Sequence, residues 1–454
     1  MSHWICQRIG RLRVLAVALW AVLMLTDAAR ADCDVTESGI PKDAVAAIDF
    51  SGTRKSLAES GIGIGGFYAA ETFGNPSGGI KPGATYDGVL ELHLDGDMKK
   101  MGLWKGLCFY ANGYQIHGHS IAAENIGSLA TVSNLEATPA TRLYELWLEQ
   151  SMFNERVWVR FGQLAADGDF FVIKDSDYFL NGWGWPSIAA ADLPSGGPGY
   201  PLATPGVRVI LNPSDKFGLK IGLYNGDPAG PNCTGDPQVC DNNGLEFRVG
   251  DPPLLMAEGS YQYNQAKGQL PGTIRIGGWN HFGKFADQRF DAGGLPIAVT
   301  GLPGKVIQDN FGLYVDIDQM LWRVPGSQDP KGIGLFARVF GAPSDQNLVD
   351  FYADGGVTFT GMIPNRPDDA LGIGFIYTGI SNRVHAFDVD SGLSVARNFE
   401  MLFEMCYTMQ LRPGWTLQPD FQYIVHPGGN VVNAAGTGAV GNATVLGIRT
   451  TINF

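Results

Sequence analysis

The chain has 454 residues, of which 62 are glycine and only 17% are charged. Such a composition favours strands and turns over helices. The formal net charge of −13 excludes a nucleic-acid-binding protein, because a polyanion repels the phosphate backbone.

Residues 1–31 are predicted to be a secretory signal peptide. Arginines precede an apolar core at Val14–Leu25, and Ala29-Arg30-Ala31 forms a small-x-small cleavage site. A membrane anchor is the alternative, but about twelve apolar residues are too few to span a bilayer. Loss of this segment removes four arginines and one aspartate, which leaves 28 basic and 44 acidic residues and a net charge of −16.

From Gly61 onward, apolar and polar residues alternate with a period of two, which is typical of strands with one apolar face. The runs are about ten residues long, the length that a tilted strand needs to cross a bilayer. We therefore predict an all-β transmembrane antiparallel β-barrel over residues 61–454. About sixteen strands, an even number as bacterial barrels require, are placed at 62–72, 85–95, 105–115, 142–150, 156–165, 206–212, 217–224, 254–263, 272–283, 310–320, 332–341, 355–362, 370–379, 398–410, 415–425 and 442–454.

Residues 32–60 precede the predicted barrel and differ from it in composition. Two short stretches, Lys42–Ile48 and Ser56–Ser60, favour helix. We expect residues 32–60 to form a small helical periplasmic segment at the foot of the barrel, or a plug in its lower mouth.

The predicted connections alternate between long and short, as in transmembrane barrels with extracellular loops on one rim and periplasmic turns on the other. The predicted extracellular loops are 74–84, 116–141, 166–205, 225–253, 284–309, 342–354, 380–397 and 426–441. The predicted periplasmic turns are 96–104, 151–155, 213–216, 264–271, 322–331, 363–369 and 411–414.

Charges within the strands indicate which face lines the lumen, because an arginine facing lipid at mid-bilayer costs roughly 2–4 kcal/mol. Arg160 shares its face with Arg156 and Trp158, so the alternate residues, including Phe161, are assigned to lipid. The same argument assigns to the lumen Glu145, Trp147, Glu149, Arg208, Arg275, Trp279, His281, Asp316, Asp318, Arg338 and Arg449. Tyr144 lies next to Glu145 on the same predicted strand, so its side chain is assigned to the other face, toward lipid.

Five cysteines follow residue 31. Cys233 and Cys240 lie in a loop rich in Pro, Gly, Asp and Asn, and they are predicted to form a disulfide. Cys108 and Cys406 fall within predicted strands, and Cys33 is left without an assigned partner. No histidine accompanies the cysteine pair, so zinc is not expected there. His117 and His119 lie two apart in a loop and are a weak alternative for metal binding, but we predict no metal site and no cofactor.

The longest loop, 166–205, contains the acidic and aromatic residues Asp169, Phe170, Trp183 and Trp185. A loop of this length is usually functional or disordered, and its aromatic content argues against disorder. We expect it to fold inward and narrow the lumen, where aromatic faces stack on sugar rings and charged groups bind hydroxyls. The alternative places Trp183 and Trp185 in the interfacial girdle or against a neighbouring barrel.

Glu145 and Glu149 lie about 13–14 Å apart along one predicted strand, farther apart than the two carboxyl groups of a glycosidase. They are expected to form a salt ladder with Arg156 and Arg160 on the next strand. That ladder either selects solutes or only stiffens the wall. With no nucleophile motif, phosphate loop or dinucleotide fingerprint present, we do not predict an enzyme.

Four stretches resemble the carbohydrate-selective porins of Gram-negative outer membranes, the OprB-type family. They read DFSGTRKSLAESGI at 49–62 with FGNPSGG at 73–79, LYELWLEQ at 143–150 with VRFGQLAADGDF at 159–170 and FLNGWGWP at 179–186, TGMIPNRPDDALGIGF at 360–375, and WTLQPDFQYIVHPGG at 415–429. The chain departs from the family at Phe50-Ser51, where Trp-Gly is usual, and at Gln163, where a basic residue is common.

The resemblance implies an outer-membrane porin through which small sugars diffuse passively. A general or organic-acid-preferring porin is the first alternative, and a secreted β-rich carbohydrate-binding protein or glycosidase is a remote one. Outer-membrane lipid is an expected partner. A last strand ending in Phe454 resembles the strands through which the barrel-assembly machinery recognises its substrates, although an ordinary edge strand is the alternative. A homotrimer is left open.

Overall fold

The computed structural model describes Cys33 and residues 52–182, 184–327 and 331–454. Sixteen antiparallel strands form one closed barrel in which each strand pairs with its neighbours in sequence. The strands are β1 Ile62–Gly79, β2 Gly83–Asp97, β3 Leu107–Gly118, β4 Ala140–Met152, β5 Val157–Leu164, β6 Thr204–Leu211, β7 Phe217–Asn225, β8 Pro253–Tyr263, β9 Gly272–Asp291, β10 Gly304–Arg323, β11 Gly332–Gly341, β12 Val349–Thr360, β13 Ala370–Ile380, β14 Phe399–Arg412, β15 Trp415–Val425 and β16 Gly441–Asn453.

The barrel closes where the two ends of the chain meet. Phe67 of β1 pairs with Asn453 of β16 in antiparallel register. Beyond that pair, the backbones of Gly66 and Phe454 exchange two hydrogen bonds of 2.9 Å. The terminal phenylalanine therefore completes the ladder, and closure removes the exposed sheet edges that would otherwise promote aggregation.

The prediction of a sixteen-stranded barrel is confirmed, but the predicted loop 74–84 is wrong, and the predicted loops 284–309 and 342–354 are too long because β9, β10 and β12 extend into them. Residues 74–84 were assigned to an extracellular loop, whereas β1 continues to Gly79 and β2 begins at Gly83. Register along this hairpin is continuous from Ile62 opposite Gly96 to Asn75 opposite Gly83. The Gly, Pro and Ser residues near its tip, which suggested a loop, coincide with register shifts in the pairing of β1 with β16 between Gly74 and Gly79.

The short helices lie in connections or before β1. Short α-helices occur at Thr53–Glu59, Ser187–Asp192, Pro237–Cys240, Ile297–Thr300 and Asn382–Asp390, a 3-10 helix at Lys174–Tyr178, and a π-helical turn at Ala122–Ile126. The turns Pro194–Gly196 and Pro427–Asn430 are distorted, since each contains residues with positive φ. The helix Thr53–Glu59 overlaps the predicted Ser56–Ser60. The predicted signal peptide and Lys42–Ile48 lie outside the described residues. Within the described part of the chain, no helix is both long and apolar enough to cross a membrane.

Side chains on the two faces of the wall differ in character. Large apolar side chains are exposed on the outer face, for example Phe161, Val207 and Ile276. Charged side chains such as Arg208, Arg338 and Glu404 are buried inside. This inversion of the soluble-protein pattern is expected where lipid, not water, surrounds the barrel.

Two disulfides restrain segments of the chain at opposite ends of the barrel. One joins Cys233 to Cys240 within the loop 226–252. The other joins Cys33 to Cys108, near the start of β3. The sequence alone assigned no partner to Cys33, and this second disulfide places Cys33 at the rim that carries the short turns. Cys406 is free and buried.

Candidate functional site in the lumen

The connection 165–203 between β5 and β6 folds into the barrel and contacts strands around its inner wall. Lys220 Nζ on β7 donates to the carbonyl of Asp169 at 2.6 Å. Arg338 Nη1 on β11 donates to the carbonyl of Phe171 at 2.5 Å. The backbone N–H of Leu180 donates to Glu404 on β14 at 2.6 Å. These contacts place the loop across the lumen, where it narrows the path for solutes.

The tip of this loop is held by an aromatic cluster around Phe171, whose side chain is fully buried. Its ring lies 4.8 Å from that of Tyr314 and 5.2 Å from those of Phe340 and Trp185, measured between centroids. Trp279 is 5.9 Å away in an edge-on geometry and is itself buried. Trp185 and Trp279 therefore secure the loop, which leaves them less free to stack on a passing solute.

Four predicted residues meet in one charged group, here called the Glu149 cluster and consisting of Glu149, Arg160, Asp169 and Arg208. Glu149 accepts from Arg160 Nε at 3.0 Å and lies 2.8 Å from Arg208 Nη1. Asp169 accepts from Arg208 Nε at 3.0 Å and lies 4.0 Å from Arg160 Nη1. Because Arg160 and Arg208 are directly opposed on β5 and β6, the two carboxylates are needed to offset their repulsion.

A second set of charges forms a row across four strands, here called the Arg338 row and consisting of Arg275, Asp316, Arg338 and Asp354. The residues are in register from β9 to β12 and alternate in sign. Arg275 Nη1 lies 2.8 Å from both Asp316 and the neighbouring Asp318. Arg338 is fully buried and donates to Asp354 at 2.6–3.0 Å.

The remaining predicted residues lie elsewhere. Arg156 does not join the salt ladder expected with Glu145 and Glu149: it precedes β5 and pairs at 2.9 Å with Asp215, whose side chain is 90% exposed. Glu145 is luminal, but it accepts the backbone N–H of Ala165 at 3.2 Å. Phe170 is fully buried with its ring edge-on to that of Tyr224 at 6.4 Å. Trp183 lies outside the described residues.

Sequence reasoning missed a row of stacked rings on consecutive strands β2, β3 and β4. The ring of His93 stacks on Tyr110 at 6.0 Å, and Tyr110 stacks on Trp147 at 4.9 Å. Arg160 on β5 completes the row, with its guanidinium 3.7 Å from the centroid of the Trp147 ring. All four side chains are half-buried, so they border the part of the lumen that the loop leaves open. The sequence pattern that could have indicated this row is the presence of aromatic rings at alternating positions of successive strands.

A β-bulge explains why Tyr144 faces inward although it was assigned to lipid. Between β3 and β4, the pair Ala111–Leu146 is followed by the pair Gly113–Leu143, so β4 carries one extra residue. An extra residue reverses the facing of every side chain beyond it. The Tyr144 hydroxyl consequently donates to Asp167 in the inward-folded loop at 3.0 Å.

The outer mouth contains a cavity of about 460 Å³ between three loops, 119–139, 165–203 and 226–252. Its lining includes Trp185, Tyr200, Gln238, the buried carboxyl group of Glu136 and the half-buried carboxyl group of Asp167. Glu136 accepts from the Ser120 hydroxyl and from the backbone N–H groups of residues 122 and 133. Burial nevertheless dominates and raises the pKa of Glu136 to about 7, and it also raises the pKa of Asp167.

A closed sixteen-stranded barrel with a lipid-facing apolar exterior, a charged lumen and an inward-folded loop defines an outer-membrane porin of a Gram-negative bacterium. The family model described as carbohydrate-selective porin, OprB family, matches residues 81–454. The chain belongs to this family, and small sugars are the solutes of its channel.

Relatives and solved structures agree with this assignment. Porin B of Pseudomonas aeruginosa is 26% identical over 423 residues, covering 88% of this chain and 89% of the relative. The putative porin QuiX of Acinetobacter baylyi is 21% identical over 432 residues, covering 89% of this chain and 92% of the relative. OprB of Pseudomonas putida at high pH aligns with a TM-score of 0.77 at 22% identity, covering 89% of this chain and 97% of that one. The low-pH structure of the same protein aligns with a TM-score of 0.56 at 17% identity, covering 91% of this chain and 98% of that one.

Proposed function

We propose that sugar selection arises between the Glu149 cluster and the Arg338 row, along the wall that carries the stacked rings. The observation that carries this proposal is that every arginine in the two groups has at least one carboxylate partner within 3.0 Å. A paired charge keeps its hydrogen-bonding geometry but contributes little net potential at a distance. The wall therefore suits neutral polyhydroxyl solutes, and the balance of charge does not favour a channel for organic acids.

We infer that the stacked rings contact a passing sugar through their edges and not through their faces. Stacking along the strands leaves Tyr110 between His93 and Trp147, and Trp147 between Tyr110 and Arg160. Ring faces that are occupied by neighbours cannot stack on a pyranose. We therefore assign sugar contacts to polar groups at the edges, mainly the Tyr110 hydroxyl and the Arg160 guanidinium, which exchange weak hydrogen bonds with sugar hydroxyls and release the solute readily.

The proposal is tested with Arg160→Ala, compared in liposome-swelling assays with sugars, organic acids and neutral solutes of similar size. We expect a folded channel that loses preference for sugars and admits cations more readily, since Glu149 and Asp169 then dominate locally. Arg156→Ala is the matched control, because it also removes an ion-paired arginine near β5 but from an exposed pair with Asp215. Unchanged selectivity in Arg160→Ala, or an equal change in Arg156→Ala, would exclude the Glu149 cluster as the selective region.

We also propose that the channel acts without catalysis and with three partners. Outer-membrane lipid contacts the exposed apolar belt, which includes Phe403 and Leu446. The barrel-assembly machinery recognises β16 and Phe454, so deleting Phe454 should lower the yield of folded barrel in the outer membrane. Three copies assemble into a homotrimer, which should migrate as one unheated species on a denaturing gel. A single monomeric species in mild detergent would exclude the trimer.

A further inference from the structure

A buried group of potential metal ligands lies on the luminal face of β14 and β15, apart from the two charged groups described above. Carboxylate oxygens of Glu404 and Asp420 and the thiol of Cys406 lie within 4.8 Å of one another. The strands are in register there, so that Glu404 opposes Gln422 and Cys406 opposes Asp420. Four polar side chains therefore project from a rectangle on one face of the sheet.

Two buried oxygens in this rectangle receive no hydrogen bond from an N–H or hydroxyl group. Asp420 is only 6% exposed, and its Oδ2 has no such donor, although its carboxyl group lies beside that of Glu404 and can share a proton with it. Gln422 is fully buried; its amide nitrogen donates to Asp420 Oδ1 at 2.9 Å and to the carbonyl of Val132 at 2.8 Å, while its Oε1 has no partner. An unsatisfied oxygen in a buried site costs free energy, and a cation would satisfy both.

Arg449, on the neighbouring strand β16, is already engaged by other groups. It donates to Glu71 at 2.5 Å and to the hydroxyl of Ser133 at 2.7 Å. Carboxylate oxygens of Glu404 and Asp420 lie within 4.8 Å of each other. Two adjacent buried carboxyl groups must therefore share a proton or bind a cation.

We propose that Glu404, Cys406 and Asp420 bind a divalent transition metal ion, with Zn²⁺ the best match. A thiolate selects zinc over the hard cations calcium and magnesium, which prefer oxygen ligands alone. Two carboxylates and one thiolate neutralise the ion with one negative charge in excess. Gln422 Oε1 or water supplies the fourth position of a tetrahedron. Ligand atoms already within 4.8 Å need only small torsional changes to reach the usual distances of about 2.0–2.3 Å from zinc.

The metal site is joined to the inward-folded loop. Glu404 accepts the backbone N–H of Leu180, and Leu180 is fully buried in the same core as Cys406. A bound ion would fix the Glu404 carboxylate and hold this part of the loop against β14. The ion is thus assigned a structural role at the channel wall.

The experiment uses the full-length protein, purified in detergent, stripped with chelator and incubated with Co²⁺ as a spectroscopic substitute for Zn²⁺. We expect one ion per chain, visible bands typical of tetrahedral cobalt and a sulfur-to-metal charge-transfer band, all displaced by Zn²⁺. Cys406→Ser should remove the charge-transfer band and weaken Zn²⁺ binding by at least about tenfold. Among the cysteines that the structure describes, the other four are in disulfides, so in protein exported without residues 1–31 the sulfur signal is assigned to Cys406.

Glu400→Gln is the matched control, because Glu400 is a fully buried carboxyl group on β14 that also binds loop N–H groups but lies outside the rectangle. It should bind Co²⁺ like the parent protein. A shift in gel migration on heating confirms that each variant forms a barrel. Asp420→Asn, which removes a second ligand, should also weaken binding; if it does not fold, the milder Cys406→Ser still tests the site. The proposal is overturned if folded parent protein binds no Co²⁺, or if binding and spectra persist unchanged in Cys406→Ser.

Discussion

Replacing Arg338 by methionine tests how the inward-folded loop is held. Arg338 is fully buried, donates to Asp354 and binds the carbonyl of Phe171 at the loop tip. Methionine leaves Asp354 buried without its cation and the Phe171 carbonyl without this donor. Removal of one partner from a buried ion pair typically costs about 3–5 kcal/mol, whereas replacing both with apolar groups is often nearly neutral. We therefore expect a less stable barrel with a loosened loop and a higher conductance.

Two measurements separate the lost ion pair from the lost loop contact. Resistance to heat on a denaturing gel reports barrel stability, and single-channel conductance in planar bilayers reports the loop. The double variant Arg338→Met/Asp354→Leu should recover heat resistance, because no charge is left unpaired, but should retain the high conductance. Arg366→Met serves as the control, since its pair with Asp369 lies at the turn 361–369. Parental conductance in Arg338→Met would refute the reasoning and show that the loop is held by its other contacts, such as those of Lys220 with Asp169 and of Glu404 with Leu180.

Three further predictions concern the rims of the barrel. A tag inserted within 232–242 should be accessible on intact cells and one within 366–369 should not, and the opposite result would reverse the orientation. Mass spectrometry of a non-reduced digest should recover a peptide linked through Cys233 and Cys240, whereas two alkylatable thiols would contradict it. Because burial raises the pKa of Glu136 to about 7 from its ordinary value near 4.5, its folded loop binds the proton more tightly than the opened loop does. Hydrogen exchange should therefore show that the free energy of opening of the loop 119–139 falls as the pH rises from about 4.5 to 7, by up to roughly 3 kcal/mol. The parent protein and the exposed-site control Glu124→Gln should both show this loss of protection, and Glu136→Gln should not.

The barrel could be predicted because its signals are local. Each strand carries its own alternation, and each luminal arginine, such as Arg208 or Arg275, fixes the facing of its strand without reference to its partners. Strand ends were less predictable, because they depend on how far a neighbour continues. Arg156 illustrates the limit: it lies one residue before β5, where alternation no longer determines the direction of the side chain.

The candidate site was predictable in part, because its contacts join distant segments. Glu149 and Arg160 were assigned to one salt ladder from the order of β4 and β5, and Arg208 was assigned to the lumen. The facing of Tyr144 depends on the bulge opposite Gly113, which is a property of two paired strands and not of β4 alone. Likewise, nothing near Phe171 in sequence indicates that its ring lies against β9, β10 and β11.

The pairing of charges reconciles a highly charged lumen with neutral solutes. The electrostatic potential of several unpaired arginines around the lumen would extend over a screening length of about 8 Å at physiological salt, far enough to concentrate anions in a narrowed channel. In the Glu149 cluster and the Arg338 row, each guanidinium is offset by a carboxylate within hydrogen-bonding distance, so the potential decays as that of a dipole. An ion entering this region would lose part of its hydration without gaining a counter-charge. A sugar instead exchanges hydrogen bonds with water for hydrogen bonds with the same fixed groups, and this difference favours the sugar.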